Sequence, residues 1–169
     1  MLATAEASSN LARFDGVRYG TRIQNNGSLE SLYKDSRSLG FGPEVQRRIM
    51  LGTYVLSAGY MDKYYGQAQK VRRLIQNDFT EVFKQVDLLF TPTTPTYPFP
   101  IGGKVDDPLT MYLSDVFTVP MSLAGIPSMS IPVGYSDRGL PAGMQLTANH
   151  FQEAQIFQLS RFLEERLAQ

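Results

Sequence analysis

Val86-Asp87-Leu88-Leu89-Phe90-Thr91, stopped by Pro92, is the stretch on which the fold turns. It is short, apolar and closed by a residue without an N–H, as expected of a strand that ends at a sheet edge or a site. Upstream, a long helical region begins at Gly42-Pro43-Glu44, where proline suits the first turn and an early carboxylate suits the helix dipole. Residues 45–58 of that region are apolar on several sides, whereas Val71, Leu74, Ile75, Phe79, Val82 and Phe83 share one face at helical spacing. The first half is therefore expected to be the more deeply buried. A helix feeding a strand is the grammar of an α/β fold.

Downstream, Thr91-Pro92-Thr93-Thr94-Pro95-Thr96-Tyr97-Pro98-Phe99-Pro100 can form neither a helix nor a central strand, because its prolines remove donors and hold the backbone extended. It reads as an extended loop or linker. Ser130-Ile131-Pro132-Val133 and residues 142–148 read as two strands of a hairpin, joined by Ser136-Asp137-Arg138-Gly139-Leu140-Pro141. An amphipathic helix over 152–167 closes the chain, with Ile156, Leu159, Leu163 and Leu167 on one face. The first forty residues are rich in Ser, Asn, Gly and charge; they predict loops, a short strand at residues 17–19 and one short helix over 29–38.

The 169 residues have the size of one domain and could bury a core. Lys plus Arg and Asp plus Glu are 16 each, so no long-range field favours nucleic acid, an anionic membrane surface or an acidic substrate. The absence of cysteine excludes disulfides, thiolate metal sites and a cysteine nucleophile, and it permits a reducing cytoplasm. Neither a signal peptide nor a run of membrane-span length is present, and a soluble, unprocessed protein is expected.

A search for chemistry finds little machinery. There is no Gly-x-Ser-x-Gly elbow, and Ser128-Met129-Ser130 reads as turn serines satisfying backbone. His150 is the one histidine, so no metal site is expected, and a capping or exposed role fits it better. Asp106-Asp107 before Pro108 suggests a turn or helix start, Gly102-Gly103-Lys104 lacks the spacing of a phosphate loop, and Lys70, Arg72 and Arg73 read as a solvated face. Two charges are harder to place. Arg48 lies in an otherwise apolar helix half, and Asp115 lies in the largely apolar run Met111-Tyr112-Leu113-Ser114-Asp115-Val116-Phe117-Thr118-Val119-Pro120. Either they pair internally or they face a polar ligand, because a desolvated charge needs a partner.

Several ordered stretches carry a family resemblance. Ala5-Glu6-Ala7-Ser8-Ser9-Asn10-Leu11-Ala12-Arg13-Phe14-Asp15-Gly16-Val17-Arg18-Tyr19-Gly20 resembles the segment that follows the catalytic core in A subunits of aspartyl/glutamyl-tRNA amidotransferases, a branch of the amidase-signature family. Glu44-Val45-Gln46-Arg47-Arg48-Ile49-Met50-Leu51-Gly52-Thr53-Tyr54 and Asp107-Pro108-Leu109-Thr110-Met111-Tyr112, running on to Ala124-Gly125-Ile126-Pro127, resemble that branch's later segments in its own order. Ile131-Pro132-Val133-Gly134 and Gly139-Leu140-Pro141-Ala142-Gly143-Met144-Gln145 resemble the ending common to amidase-signature enzymes.

The resemblance implies a partial amidase-signature α/β fold, a mixed β-sheet flanked by helices, with residues 1–169 forming the C-terminal portion of a single domain. It implies a cytoplasmic glutaminase subunit whose ammonia passes to a B subunit; that subunit uses ATP and magnesium to amidate Glu-tRNA(Gln) or Asp-tRNA(Asn), with a small C subunit clamping the pair. The tRNA would be met only through the B subunit. The family's serine nucleophile, second serine in a cis peptide and lysine base belong to a core upstream of these motifs, so this chain is expected to be part of a longer protein and inactive alone. By the family pattern Arg48 matches an arginine that holds the glutamine α-carboxylate, and Asp115 an aspartate that holds its α-ammonium. Glu6, Ser8, Ser9 and Asn10 lie near the active site on this reading, or serve turn and cap hydrogen bonds. Two alternatives stand beside it: another amidase-signature hydrolase of small amides, and a non-catalytic domain that docks a partner.

Overall fold

A computed structural model describes residues 1–23, 27–103 and 108–167. Asp106, Asp107 and Lys104, singled out above, lie outside the described residues. Two compact units divide the chain, residues 1–71 and 72–169.

The first unit is helical. It holds α1 (Leu2–Leu11), α2 (Leu29–Gly40), α3 (Pro43–Val55) and a π-helical turn (Met61–Gly66), and α4 (Gln67–Val82) begins in it. The stretch Leu2–Leu11, expected to be loop, is a helix. Its buried residue is Ala5, and it lies against α3 at Gly52, where an added Cβ would collide with the Thr4 carbonyl and come within 2.7 Å of Ser8 Cβ. Two backbones that close need a residue without a side chain at the crossing. The Ser8 and Thr53 hydroxyls pair across it at 2.9 Å.

Residues 17–19 are not a strand. The buried Asp15 carboxylate accepts the Val17 and Arg18 N–H groups, both at 2.9 Å, and this side chain to backbone closure turns the chain instead of extending it. Those two backbone bonds hold the Asp15 carboxyl below the usual carboxylate range, with the Arg18 guanidinium assisting. Arg37 of α2 donates to the carbonyls of Leu11, Ala12 and Phe14, so it satisfies the open end of α1. Ser28 caps α2 by accepting from Ser31 N–H, and Gly42 with Pro43 starts α3 as expected. The long helical region is interrupted after Val55, and Gly59 takes φ +83°, a left-handed conformation that ends helices. Gly52 and Val55 of α3 are buried whereas α4 buries nothing fully, the order expected for the two halves.

The second unit holds a three-stranded sheet with α5 (Pro108–Leu113), α6 (Val119–Ala124) and α7 (Glu153–Leu167). Its strands β1 (Leu88–Pro92), β2 (Ser128–Tyr135) and β3 (Pro141–Ala148) are ordered β1-β3-β2. Both pairings are antiparallel, so the parallel pairs of a mixed sheet are not among these strands. The β2–β3 hairpin is the one read from sequence, with an irregularity between Pro132 and Gly134. One face of the sheet is apolar: Ile131, Leu146 and Ala148 bury with Ile156 of α7, and Leu88, Met129, Met144, Leu159 and Leu163 pack around them. Fully burying one such aliphatic side chain contributes about 1.5–3 kcal/mol. A second cluster joins Met121, Ala124 and Ile126 to Ile75 and Phe79 of α4 and to Phe83 just past its end, all three on the face predicted from periodicity.

Candidate functional site

The other face of the sheet is polar. Register places Thr91 of β1 and Ser130 of β2 opposite Gln145, and Ser128 opposite Thr147. The Ser128 and Thr147 hydroxyls pair at 2.9 Å, and those of Thr93 and Ser130 at 2.8 Å. Ser128 and Ser130 are thus strand residues, not turn serines: Ser128 links β2 to β3, and Ser130 reaches across β3 to the residue that follows β1. Gly143 of β3 lies beneath the Thr93–Ser130 pair, where an added Cβ would stand 3.0 Å from Thr93 Oγ1 and 3.2 Å from Ser130 Oγ.

The proline tract ends β1 with its first two residues and continues as a loop that bends through residues 93–97, and it walls two cavities. One, of about 320 Å³, lies between Thr94, Thr96 and Tyr97 on the loop and Val133, Pro141 and Met144 on the hairpin. The other, of about 200 Å³, is rich in hydroxyls: Thr93, Thr94, Thr96, Ser130 and Ser114 line it together with Phe99. Ser114 precedes Asp115, so this cavity lies against the turn that carries the predicted anionic residue.

That turn joins α5 to α6. Asp115 N–H donates to Tyr112 O, and Asp115 O accepts from Thr118 N–H at 3.1 Å and from Val119 N–H at 3.0 Å, which starts α6. The Asp115 side chain is exposed, and among the described residues no cation pairs with its carboxylate. Sequence reasoning overlooked the residue that ties this turn to the sheet. Gln145 is 5% exposed, and its Nε2 donates to Phe117 O at 2.8 Å and to Thr91 Oγ1 at 3.4 Å. The sequence signal was a lone amide in the strand Ala142-Gly143-Met144-Gln145-Leu146-Thr147-Ala148.

Arg48 lies on α3, in the first unit. Its Nε donates to Glu44 Oε1 at 2.8 Å, one turn back, and Arg47 reaches the other Glu44 oxygen at 2.7 Å. The hydrogen bond from Arg48, followed by the charge of Arg47, draws the Glu44 carboxyl below its usual range. The Arg48 side chain is 55% exposed, and its neighbours Met50 and Leu51 are 69% and 42% exposed. The helix half expected to be the more deeply buried is nevertheless open on this side, and the desolvation argument for Arg48 does not hold within this chain. The two residues proposed to read one ligand lie in separate units, Arg48 before the division and Asp115 after it.

The other residues singled out make contacts within the fold. Ser8 bonds Thr53, Glu6 accepts weakly from Tyr65 at 3.4 Å, and both belong to α1 and not to a turn. Arg72 donates to Leu123 O at 2.7 Å and closes the end of α6, while Arg73 bonds Gln76. Tyr54, Tyr60 and Tyr64 form a cluster with centroids 4.6–6.4 Å apart, and the hydrogen bond with Tyr60 pushes the Tyr54 phenol up. Among the described residues no three His, Asp or Glu side chains gather as metal ligands, and no helix is long and apolar enough to cross a membrane.

Comparison with known proteins places this geometry in context. The Amidase family model matches residues 1–157. The A subunit of glutamyl-tRNA(Gln) amidotransferase from Chlorobaculum tepidum is 57% identical over 164 residues, covering 97% of this chain and 34% of that protein. The protein of the same name from Granulibacter bethesdensis is 58% identical over 168 residues, covering 99% and 34%. This chain therefore spans about a third of the length of these curated relatives. Among solved structures, the A subunit of the Thermotoga maritima glutamyl-tRNA(Gln) amidotransferase superposes with a TM-score of 0.55 at 43% identity, over 76% of this chain and 29% of that one. An amidase superposes with a TM-score of 0.64 at 22% identity, over 82% and 32%, which shows the fold alone.

Proposed function

The chain belongs to the amidase family, and from that premise we propose that it is the C-terminal third of the glutamine-hydrolysing component of a tRNA-dependent amidotransferase. The observation that carries this reading is identity of 57–58% along 97–99% of the chain to relatives named as the A subunit of glutamyl-tRNA(Gln) amidotransferase. The nucleophilic serine, its serine partner and the lysine base come from the remaining two thirds of such a protein. The two compact units of this chain are parts of one domain in the intact protein. Ammonia released from glutamine passes to a B subunit that activates Glu-tRNA(Gln) with ATP and magnesium, in a cytoplasmic assembly with a small C subunit.

Within that assembly this chain supplies recognition. A guanidinium grips a carboxylate through parallel N–H bonds, and a carboxylate accepts the protons of an ammonium; Arg48 and Asp115 therefore read the two charged ends of the glutamine zwitterion. Glu44 holds Nε of Arg48 and orients the fork. Simple amides lack both charges, so this pair discriminates against them.

The test is a chimaera in which this chain replaces the matching third of the Chlorobaculum tepidum protein, brought together with that organism's partner subunits. Glutamine hydrolysis is expected. Arg48→Ala raises the glutamine KM by about 10- to 100-fold, the size of one lost charge-assisted contact. A folded chimaera without glutaminase activity, or an Arg48→Ala variant with unchanged KM, refutes the reading.

A further inference from the structure

We infer that Gln145 is a positioning residue for Asp115, and through it for the ammonium end of the substrate; this rests on the proposed reading of Asp115. Gln145 sits in β3, the middle strand of the sheet, and its backbone is held by β1 on one side and β2 on the other. Its side chain is buried, and an amide buried in this way must be bonded. The orientation of the amide is fixed by its partner: Phe117 O can only accept, so the group 2.8 Å from it is the NH2 end. The same nitrogen reaches Thr91 Oγ1 on β1 at 3.4 Å.

The bond to Phe117 O falls inside the turn whose geometry sets Asp115. Thr118 and Val119, the next two residues, donate back to Asp115 O. One side chain on a central strand thus fastens, two residues past Asp115, a turn whose two ends are α5 and the start of α6. Asp115 has no side-chain partner of its own among the described cations, so its carboxylate takes its place from its backbone. Removing the amide donor leaves Phe117 O without the bond from the buried Gln145 side chain, and the turn moves to find another donor. Asp115 then moves with it. Gln145 touches no reacting atom; it acts through the turn.

The experiment uses the chimaeric protein with Gln145→Met, which keeps length and removes the donor, and Gln145→Asn, which keeps the amide but cannot reach. Each is assayed with glutamine and with 4-carbamoylbutyrate, which has the same amide and carboxylate but no α-ammonium. A positioning role raises the glutamine KM about tenfold with little change in kcat, and leaves the kinetics on 4-carbamoylbutyrate unchanged. Combined with Asp115→Asn, either variant adds nothing further to the glutamine KM, because the two act on one contact. Equal losses on both substrates, or additive losses in the double variants, overturn the proposal, since a merely structural amide weakens all turnover alike. The unchanged rate on the deamino substrate also certifies folding; if Gln145→Met does not fold, Gln145→Asn decides. An Asp115→Asn variant with normal glutamine KM sinks the reading of Asp115 itself, whereas Asp115→Asn affected and Gln145 variants unaffected sinks only this inference.

Discussion

Replacing Gly52 by alanine asks how the first unit is held together. In an exposed helix the change should stabilise, because alanine exceeds glycine in helix propensity by about 1 kcal/mol. Here the new methyl has no space. It meets the Thr4 carbonyl, which is backbone and cannot rotate aside, and Ser8 Cβ at 2.7 Å. Relief requires α1 to move away from α3. Strain of this kind costs about 1–3 kcal/mol, and parting the helices also breaks the 2.9 Å Ser8–Thr53 bond, worth about 1 kcal/mol. With the propensity gain subtracted, the net loss is about 2 kcal/mol. At an m-value of about 1–3 kcal/mol/M the urea midpoint of the chain, followed by far-UV circular dichroism, falls by about 1 M. Gly40→Ala supplies the opposite sign: that glycine ends α2 with nothing within 4 Å of its added Cβ, and the substitution should gain up to about 1 kcal/mol. An unchanged or raised midpoint for Gly52→Ala, or a comparable fall for Gly40→Ala, refutes the close crossing of α1 and α3.

Further outcomes follow from the packing and the charges. Leu146→Ala empties the centre of the cluster under α7 and costs about 2–5 kcal/mol in urea unfolding. Asp15 has a folded pKa below its unfolded value, so its contribution to stability is complete above the ordinary carboxylate range and is lost as pH falls through the folded value. Asp15→Asn should therefore flatten the acid limb of a stability-against-pH curve while changing nothing in its slope near neutrality. Arg37→Ala removes the donor to three carbonyls at the end of α1, and amide exchange of the α1 backbone should quicken while that of β3 is unchanged.

The elements legible in the sequence are those whose stabilising contacts show in a local pattern. The hairpin, α7 and the start of α3 carry alternation, a 3.6-residue stripe or a Pro-Glu start, and each lies where those signals put it. Helix α1 was illegible because Ala-Thr-Ala-Glu-Ala-Ser-Ser has no apolar stripe; what orders it is a glycine more than forty residues away and an arginine on α2. Residues 17–19 looked like a strand because Val and Tyr favour one, but the Asp15 carboxylate competes locally for the same backbone and wins. Arg48 and Asp115 were picked out as charges among apolar residues, yet both are exposed on their own units, since apolar composition reports what a surface avoids and not what covers it. Gln145 escaped notice for the converse reason. A neutral amide in a strand draws no attention until its partner, twenty-eight residues away, is known.

The alternation along β3 has a consequence for how this protein can change length. Gly143, Gln145 and Thr147 serve the hydroxyl face, and Met144, Leu146 and Ala148 serve the α7 face. Deleting one residue within the strand exchanges the two sets at every position beyond it, driving the Gln145 amide into hydrocarbon and Leu146 toward the Asp115 turn. Deleting two preserves the assignment. Odd and even lesions of the same strand therefore belong to different classes of damage, and the strand carries a parity that no catalogue of tolerated substitutions would reveal.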